Sequence, residues 1–322
     1  MDNERAWFVR RVVLSVLLLV FVAVPLYPEL FGLDEVTPFT QLAAFRPQGL
    51  VVLLVLALLM LVRRGWRIAA TLLAALALVG TALTVPRQFS HARQAPAGSR
   101  VLTVMVANVL GGGAHAADVA QVIRDRKPDL VSLPEAQVDV REEIRAQLQD
   151  QQYKGFTVQP SRAAPSATSV LVSAALGDVT FASEPGTTFG NIVVTGGNLG
   201  AIRLIAYHGY PPLPDAVTTW KHDLQKVRQW CTEEPPTVVA GDFNATVDHA
   251  DFRQALGGYC RSVGPSVGDG LQGTWPADQP VVLRTQIDHV VVSRRFEPGR
   301  FTTYPVQGTD HRAVVATVAL LP

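Results

Sequence analysis

Cysteine is nearly missing from this chain: among 322 residues only Cys231 and Cys260 occur. Two well-separated thiols do not make a zinc site. A basic excess is missing too, since 28 Lys+Arg stand against 27 Asp+Glu. Residues 1–87 take 8 of the basic and 5 of the acidic residues, which leaves 20 basic and 22 acidic beyond them, a net charge of −2. Duplex nucleic-acid affinity rests largely on phosphate neutralisation by Lys and Arg, so this balance argues against a strongly basic binding surface without excluding a nuclease whose metals do part of that work. Internal repeats and low-complexity tracts are absent. The one run of three glycines, in "VLGGGA", is followed by no Gly-Lys-Ser/Thr, which excludes a P-loop and leaves a turn.

What the chain has in plenty is apolar sequence: 48% of residues are hydrophobic and the mean hydropathy is +0.21. Much of it lies in three runs, Val12–Tyr27, Leu50–Val62 and Ile68–Val85. A spanning helix needs ~20 apolar residues. The third run meets this directly and the first does so with its flanks, whereas the second must draw in "AAFRPQG". About three transmembrane helices are therefore expected over residues 1–87, with a polar linker at 88–100. Arg5, Arg10 and Arg11 precede the first run, and Arg63, Arg64 and Arg67 fill the turn between the second and third. The positive-inside bias then predicts a multi-pass membrane protein with a cytoplasmic N-terminus and residues 101–322 outside. No small-x-small cleavage site follows the first run, which argues against a cleaved signal peptide. An oxidising compartment permits a disulfide between Cys231 and Cys260, although nothing in the sequence says that they are near each other.

Residues 101–322 alternate strand-like and helix-like segments. "VLTVMVAN", "DLVSLPE", "SVLVSA", "NIVVTG", "AIRLIAYH", "TVVAGDF", "QIDHVVVS", "RFTTYPV" and "RAVVATVAL" read as strands. "DVAQVIRDRKPD", with Asp118 as its cap, "DVREEIRAQLQD", "DAVTTWKHDLQKVRQWC" and "ADFRQAL" read as helices. This mixture predicts one α/β domain of two packed mixed sheets.

Hard oxygen ligands and histidines collect at the strand ends: Asn108, Glu135, His208, Asp242, Asn244, Asp288, Asp310 and His311. Carboxylates and amides are the donors that magnesium, manganese or calcium prefer, while each one alone suits an ordinary turn. In "GDFN", extended alternation would turn Asp242 and Asn244 to one side and Phe243 to the core. The same alternation separates Asp288 from His289. His91, His115, His222 and His249 are expected at the surface, and Trp275 either stacks on a substrate or packs.

"VANVL", "LPEA", "AYHGYPP", "GDFNAT", "QIDHVVVS" and "GTDHRAVVA", in this order, resemble the endonuclease/exonuclease/phosphatase superfamily, the deoxyribonuclease I-like fold; "GTWPA" is similar to many bacterial members. The resemblance covers roughly residues 100–320, leaves the apolar N-terminal segment unaccounted for, and implies for the domain at 101–322 a four-layer α/β sandwich, two packed mixed β-sheets flanked by helices. It implies a catalytic Mg²⁺ or Mn²⁺ with Glu135 as principal ligand and Asn108 and Asp310 in support. Asp242 and Asn244 then orient the attacking water and the scissile phosphate, His208 and His311 hold phosphate oxygens, and Asp288 orients His311. Two departures stand out: the glycine loop after Asn108, where several nucleases carry a polar residue, and Thr309 where a serine is usual.

These features together predict a membrane-anchored, extracytoplasmic, metal-dependent hydrolase of phosphoesters, with the lipid bilayer as its partner and no obligate protein partner. A nuclease using the same site is the alternative within that class. An idle membrane scaffold on the same fold is the alternative outside it, because fold alone does not fix function.

Overall fold

A computed structural model describes residues 2–148 and 152–322. The chain divides into two compact units. One comprises Met1–Pro86 with the short segments Leu213–Val217 and Asp248–Ala250, and the other comprises the remainder.

The first unit is built on helices α1 (Asp2–Leu26), α2 (Arg46–Leu61) and α3 (Arg67–Thr84). Arg63–Trp66 is too short to let α2 and α3 diverge, so they pack as an antiparallel pair, with Leu50 of α2 against Gly80 of α3. Leu26, Leu50, Leu53, Ala57, Leu73 and Ala77 form their common core. The outer faces stay apolar, with Phe21 77% and Leu83 74% exposed. Two segments, Glu4–Leu26 and Arg64–Phe89, are long and apolar enough to cross a membrane. The second apolar run forms a shorter helix: α2 draws in the "RPQG" of "AAFRPQG" but starts at Arg46, and its 16 residues lie just under the ~17-residue lower limit. Arg46 explains the start. Its guanidinium donates to the Leu26 carbonyl at 2.7 Å and to both Glu29 oxygens at 2.8 Å, which fixes it outside the apolar run.

The second unit contains two six-stranded mixed sheets. Strands β1 (Arg100–Val106), β2 (Leu130–Pro134), β3 (Tyr153–Val158), β4 (Thr168–Ser173), β11 (Phe296–Tyr304) and β12 (Ala313–Leu320) form the first, in the order β11-β12-β1-β2-β4-β3. Strands β5 (Val179–Ser183), β6 (Ile192–Gly196), β7 (Arg203–His208), β8 (Thr237–Asp242), β9 (Cys260–Ser262) and β10 (Asp288–Ser293) form the second, in the order β5-β6-β7-β8-β10-β9. Alternation decides which face each residue serves. Leu102, Val104 and Val106 of β1 point between the sheets, where they meet Ala206, Val238, Ala240 and Val290 of the facing sheet. Met105 points out beneath helices α4 (Ala116–Arg126) and α5 (Val138–Ala146), against Val119, Ile123 and Ile144. On the opposite side Tyr207 and Phe243 lie beneath α6 (Val217–Trp230) and α7 (Ala250–Leu256), in a cluster with Trp230 and Phe252. Each fully buried branched or aromatic side chain contributes roughly 1.5–3 kcal/mol. The four-layer sandwich is therefore the observed fold.

Local differences from the sequence reading have simple causes. β3, β5 and β9 lie outside the strands expected from the sequence: β3 carries Lys154 and Gly155, β5 is mostly exposed, and β9 has only three residues. Asp118 is not the cap of α4: it stands within the first turn and accepts from the Gln307 N–H at 3.0 Å. The last two residues of "DVREEIRAQLQD" lie outside the described residues.

One parallel pair sits at the centre of each sheet, β1 with β2 and β7 with β8. The two pairs face each other across the sandwich, so all four strands can deliver their C-terminal ends to one rim. Within β8, Gly241 lies so close to β7 that a Cβ there would stand 1.7 Å from the Tyr207 carbonyl oxygen.

The two cysteines are joined, tying the end of α6 to the edge strand β9 across a separation of 29 residues. Closing a loop of this length stabilises by about 3–4 kcal/mol in the chain-entropy model. The double variant Cys231→Ser/Cys260→Ser should lower unfolding stability by about this amount, and reductant should do the same to the wild type. Denaturant titration followed by tryptophan fluorescence measures both; an unchanged midpoint would contradict the loop-closure account.

Candidate active site

Asn108 and Glu135 follow the ends of β1 and β2 by one or two residues, while His208 and Asp242 are the last residues of β7 and β8. Asp288 opens β10 and pairs with Asp242 across the antiparallel ladder, and His208 pairs with Asp242 on the other side. His208, Asp242 and Asp288 thus stand in a row along one end of the second sheet.

The Asn108 amide joins the two sheets. Its Nδ2 donates to Glu135 Oε1 at 3.1 Å and to Asp242 Oδ2 at 3.0 Å, while its Oδ1 accepts from Leu110 N at 2.9 Å. Asp310 and His311 reach the same place from the loop before β12. His311 Nδ1 donates to Asp288 Oδ2 at 2.9 Å, and its Nε2 lies 3.8 Å from Asp242 and 3.9 Å from Asp310. The Thr309 hydroxyl donates to the Asn108 carbonyl at 2.9 Å and accepts from His311 N at 3.2 Å. A hydroxyl is what that position uses, so threonine serves in place of serine.

Asn244 is placed by a turn that strand alternation does not describe, and its side chain meets the Gly209 carbonyl. Its φ of 49° is left-handed, so the chain leaves the extended conformation after Asp242. The Asp242 Oδ1 accepts from Asn244 N at 2.8 Å, and Asn244 Nδ2 donates to the Gly209 carbonyl at 3.0 Å. Asparagine tolerates this region better than most residues. Glu135 is also left-handed, with φ 62°, a conformation that costs ~1–3 kcal/mol and persists only where the surroundings enforce it. Phe243, between the two polar residues, is fully buried as expected. In "VLGGGA" the glycines serve the backbone: Gly111 and Gly112 are left-handed, and a Cβ on Gly113 would stand 2.6 Å from the Gly308 carbonyl.

Four carboxylates, Glu135, Asp242, Asp288 and Asp310, surround one imidazole that carries charge. Burial would lower the His311 pKa, but Asp288, through charge and hydrogen bond, with Asp242 and Asp310, raises it to about 10. His208 goes the other way: burial and the His311 charge lower it to about 3, so it is neutral. A carboxylate partner thus charges one of the two histidines. Burial first, and Asp288 second, raise Asp242 to about 7. Burial also raises Glu135, against the pull of Asn108 and His311. Negative charge exceeds positive here, and Asp288 Oδ1 and Asp310 Oδ1 are buried with no hydrogen-bond donor. An oxygen-rich donor set with uncompensated charge fits a hard divalent cation. Donor atoms of Asp242, Asp288 and His311 also lie within 4.8 Å of one another, a grouping that could hold a metal ion.

Several supporting residues escaped the sequence reading. Asn191 Oδ1 accepts from His208 N at 3.0 Å, and the Thr274 hydroxyl accepts from Asp288 N at 3.2 Å. Trp275 neither stacks freely nor merely packs: its Nε1 donates to Asp310 Oδ2 at 2.9 Å. Asp223, fully buried on α6, accepts from Tyr210 N and Thr188 N at 3.1 Å each. It stands at helical spacing with Trp220 and Val227, and a carboxylate on a buried helical face was the available signal. His289 bonds Ser262 and the Ala245 carbonyl and lies outside the site, as alternation required. Among the four histidines expected at the surface, His249 is buried instead.

His311 gives a signed prediction. Its folded pKa of about 10 lies above the ordinary 6.5. The stabilisation from its charge is therefore fully present below about pH 6.5 and is lost as pH rises through about 10. In Asp288→Asn the His311 resonance should titrate well below its wild-type midpoint. The stability gap between the two proteins should be widest just below pH 6.5 and close toward pH 10. Histidine NMR and pH-dependent denaturation measure these, and an unmoved titration would refute the pairing.

A search of curated protein sequences gives no match. Among solved structures, D. rerio TDP2 complexed with single strand DNA product shares 18% identity at a TM-score of 0.54, covering 68% of this chain and 98% of its own. An endonuclease/exonuclease/phosphatase from Beutenbergia cavernae shares 20% at 0.53, covering 69% and 72%. A family protein from Bacteroides thetaiotaomicron shares 13% at 0.52, covering 69% and 96%. At these identities the likeness is one of fold. The family model for the Endonuclease/Exonuclease/phosphatase family matches residues 105–311. That span takes in the ends of both central strand pairs and the loop with Asp310 and His311, and the chain belongs to this family.

Proposed function

We propose that the protein is a membrane-anchored, divalent-metal-dependent phosphoric ester hydrolase with its active site on the extracytoplasmic side. The observation that carries the reading is the charge excess at the rim, where four carboxylates surround a single imidazolium. Glu135 is the principal ligand in this reading, with Asn108 and Asp310 in support. His311 is held protonated by Asp288, Asp242 and Asp310, with a pKa of about 10, which favours this set over a grouping that would need the imidazole lone pair. When bound, Mg²⁺ or Mn²⁺ supplies charge neutralisation at the phosphoryl oxygens.

The chain's own residues do the rest. Asp242, raised to about 7, has the basicity to accept a proton from an attacking water near neutral pH. Asn244, fixed by Gly209, orients that water and the phosphate. His311, kept protonated by Asp288, donates to the phosphoryl oxygen on which charge develops. Neutral His208 offers a hydrogen bond without charge. Two long apolar segments and the arginine-rich turn before α3 support anchoring. The extracytoplasmic placement takes the shorter helix α2, antiparallel to α3, as the middle one of three crossings, and the disulfide suits an oxidising compartment.

A second reading, a nuclease on the same site, is favoured by the likeness to a structure holding a single strand DNA product. The experiment is a panel of phosphodiester, phosphomonoester, phospholipid and nucleic-acid substrates with Mg²⁺ or Mn²⁺. Wild type should turn over at least one class and lose this with chelator. Glu135→Gln and His311→Ala should each lower kcat by about 10²–10³ or more. Absence of metal-dependent turnover across the whole panel would end the enzyme reading. Salt separates the substrates: nucleic-acid cleavage should fall steeply between 50 and 200 mM salt, on the order of 10³ for a substrate contacted at many phosphates, whereas an uncharged-surface phosphoester should show little change.

A further inference from the structure

Trp275 and Thr285 pair as an isolated bridge, with backbone bonds of 3.0 and 2.6 Å in the two directions. The chain between them, residues 276–284, projects as a closed finger. Its base is fastened to the active site, because Trp275 Nε1 donates to the Asp310 carboxylate at 2.9 Å and Ala277 N to the Asp310 carbonyl at 2.7 Å. Its tip is held by its own bonds, Leu283 N to the Pro280 carbonyl and Arg284 Nε to the Gln279 carbonyl. On that tip stand Val281, Val282 and Leu283, 66%, 69% and 48% exposed. Three consecutive apolar residues presented to water on a braced loop need an apolar partner.

The neighbouring loops share this character. Leu110, two residues past Asn108, is 45% exposed, and Val138, three past Glu135, is 52% exposed. The loops form one linked series. His115 N donates to the Gln307 carbonyl, Thr309 bonds Asn108, and a Cβ on Gly112 would stand 2.9 Å from Val140. The apolar tips therefore rise from the same segments that carry the site residues.

We infer that the finger 276–284 inserts its Val281–Val282–Leu283 tip into the apolar boundary of a lipid bilayer and holds the active site against a lipid surface. This rests on the membrane anchoring proposed above, and the two apolar segments of the same chain are what favour a bilayer over other occupants. A tip of this size adds a shallow apolar contact that complements an existing anchor. The substrate class that follows is a phosphoester whose headgroup lies at the membrane interface.

The test uses the full chain reconstituted in phosphatidylcholine/phosphatidylglycerol vesicles. Both native cysteines are in the disulfide, so an environment-sensitive fluorophore can be placed on Val282→Cys alone. The expected result is blue-shifted emission that lipids brominated in the upper acyl chain largely quench. The same probe on Tyr259→Cys, beside the end of β9 that pairs with Ser293 and not Asp288, should stay unquenched. Water-like emission from Val282→Cys overturns the inference. So does blue-shifted emission that bromolipid leaves intact, since protein or a second copy then covers the tip. Independently, Val281→Ser/Val282→Ser/Leu283→Ser should lower turnover of bilayer phospholipid about tenfold or more. A soluble bis(4-nitrophenyl) phosphate substrate should be unaffected. Equal loss on both substrates, or loss on neither, also overturns it. If the wild type hydrolyses nothing, the enzymatic reading fails while the quenching result still decides the placement of the finger.

Discussion

The constraint on which the site depends is an imbalance of charge across a seam between two sheets. Asn108 Nδ2 reaches one carboxylate from its own sheet, Glu135, and one from the facing sheet, Asp242. A single amide cannot neutralise two anions, and His311 already leans on Asp288. Burial makes the shortage sharper, because it raises both Glu135 and Asp242. The surrounding architecture keeps these anions together despite their repulsion. Parallel strand pairs fix the backbones, and Thr309, Thr274 and Asn191 hold the loops by hydrogen bonds that carry no charge of their own. Such a site is short of positive charge by construction, and its donor atoms are grouped closely enough that they could hold a metal ion.

Much of this was legible in the sequence because the relevant signals are local. A run such as "TVVAGD" declares a buried strand by its branched residues, and a polar residue at its end is visible at once. The order of the motifs then made the family and its sandwich accessible. Less legible was anything that depends on where two distant segments meet. Asn191 looks like a strand start and Asp223 like a misplaced polar residue on a buried helical face, until both are seen to clamp the loops around His208 and Tyr210. Trp275 showed its partner only when Asp310 came within 2.9 Å. The conformation of Asn244 was missed for another reason: period-two alternation holds only while the backbone stays extended, and "GDFN" leaves the strand in mid-motif.

The two histidines show the same limit in electrostatic form. Both stand at strand ends or beside them, both are buried, and the sequence treats them alike. Which one is charged depends on which lies against Asp288, and this is a fact of register. β10 places Asp288 opposite Asp242, and the loop before β12 brings His311 down on the far side. His208, without a carboxylate of its own, then bears the repulsion of its charged neighbour. One fold thus produces a cationic donor and a neutral donor from the same residue type.

Gly241 gives this arrangement a mechanical stop. With no Cβ between it and the Tyr207 carbonyl, β7 and β8 approach until their backbones touch. The spacing of His208 from Asp242 is then gauged by main-chain atoms, which no change of neighbouring side chain can lengthen. Side chains around the rim are free to vary, while the separation of His208 from Asp242 stays cut to one length.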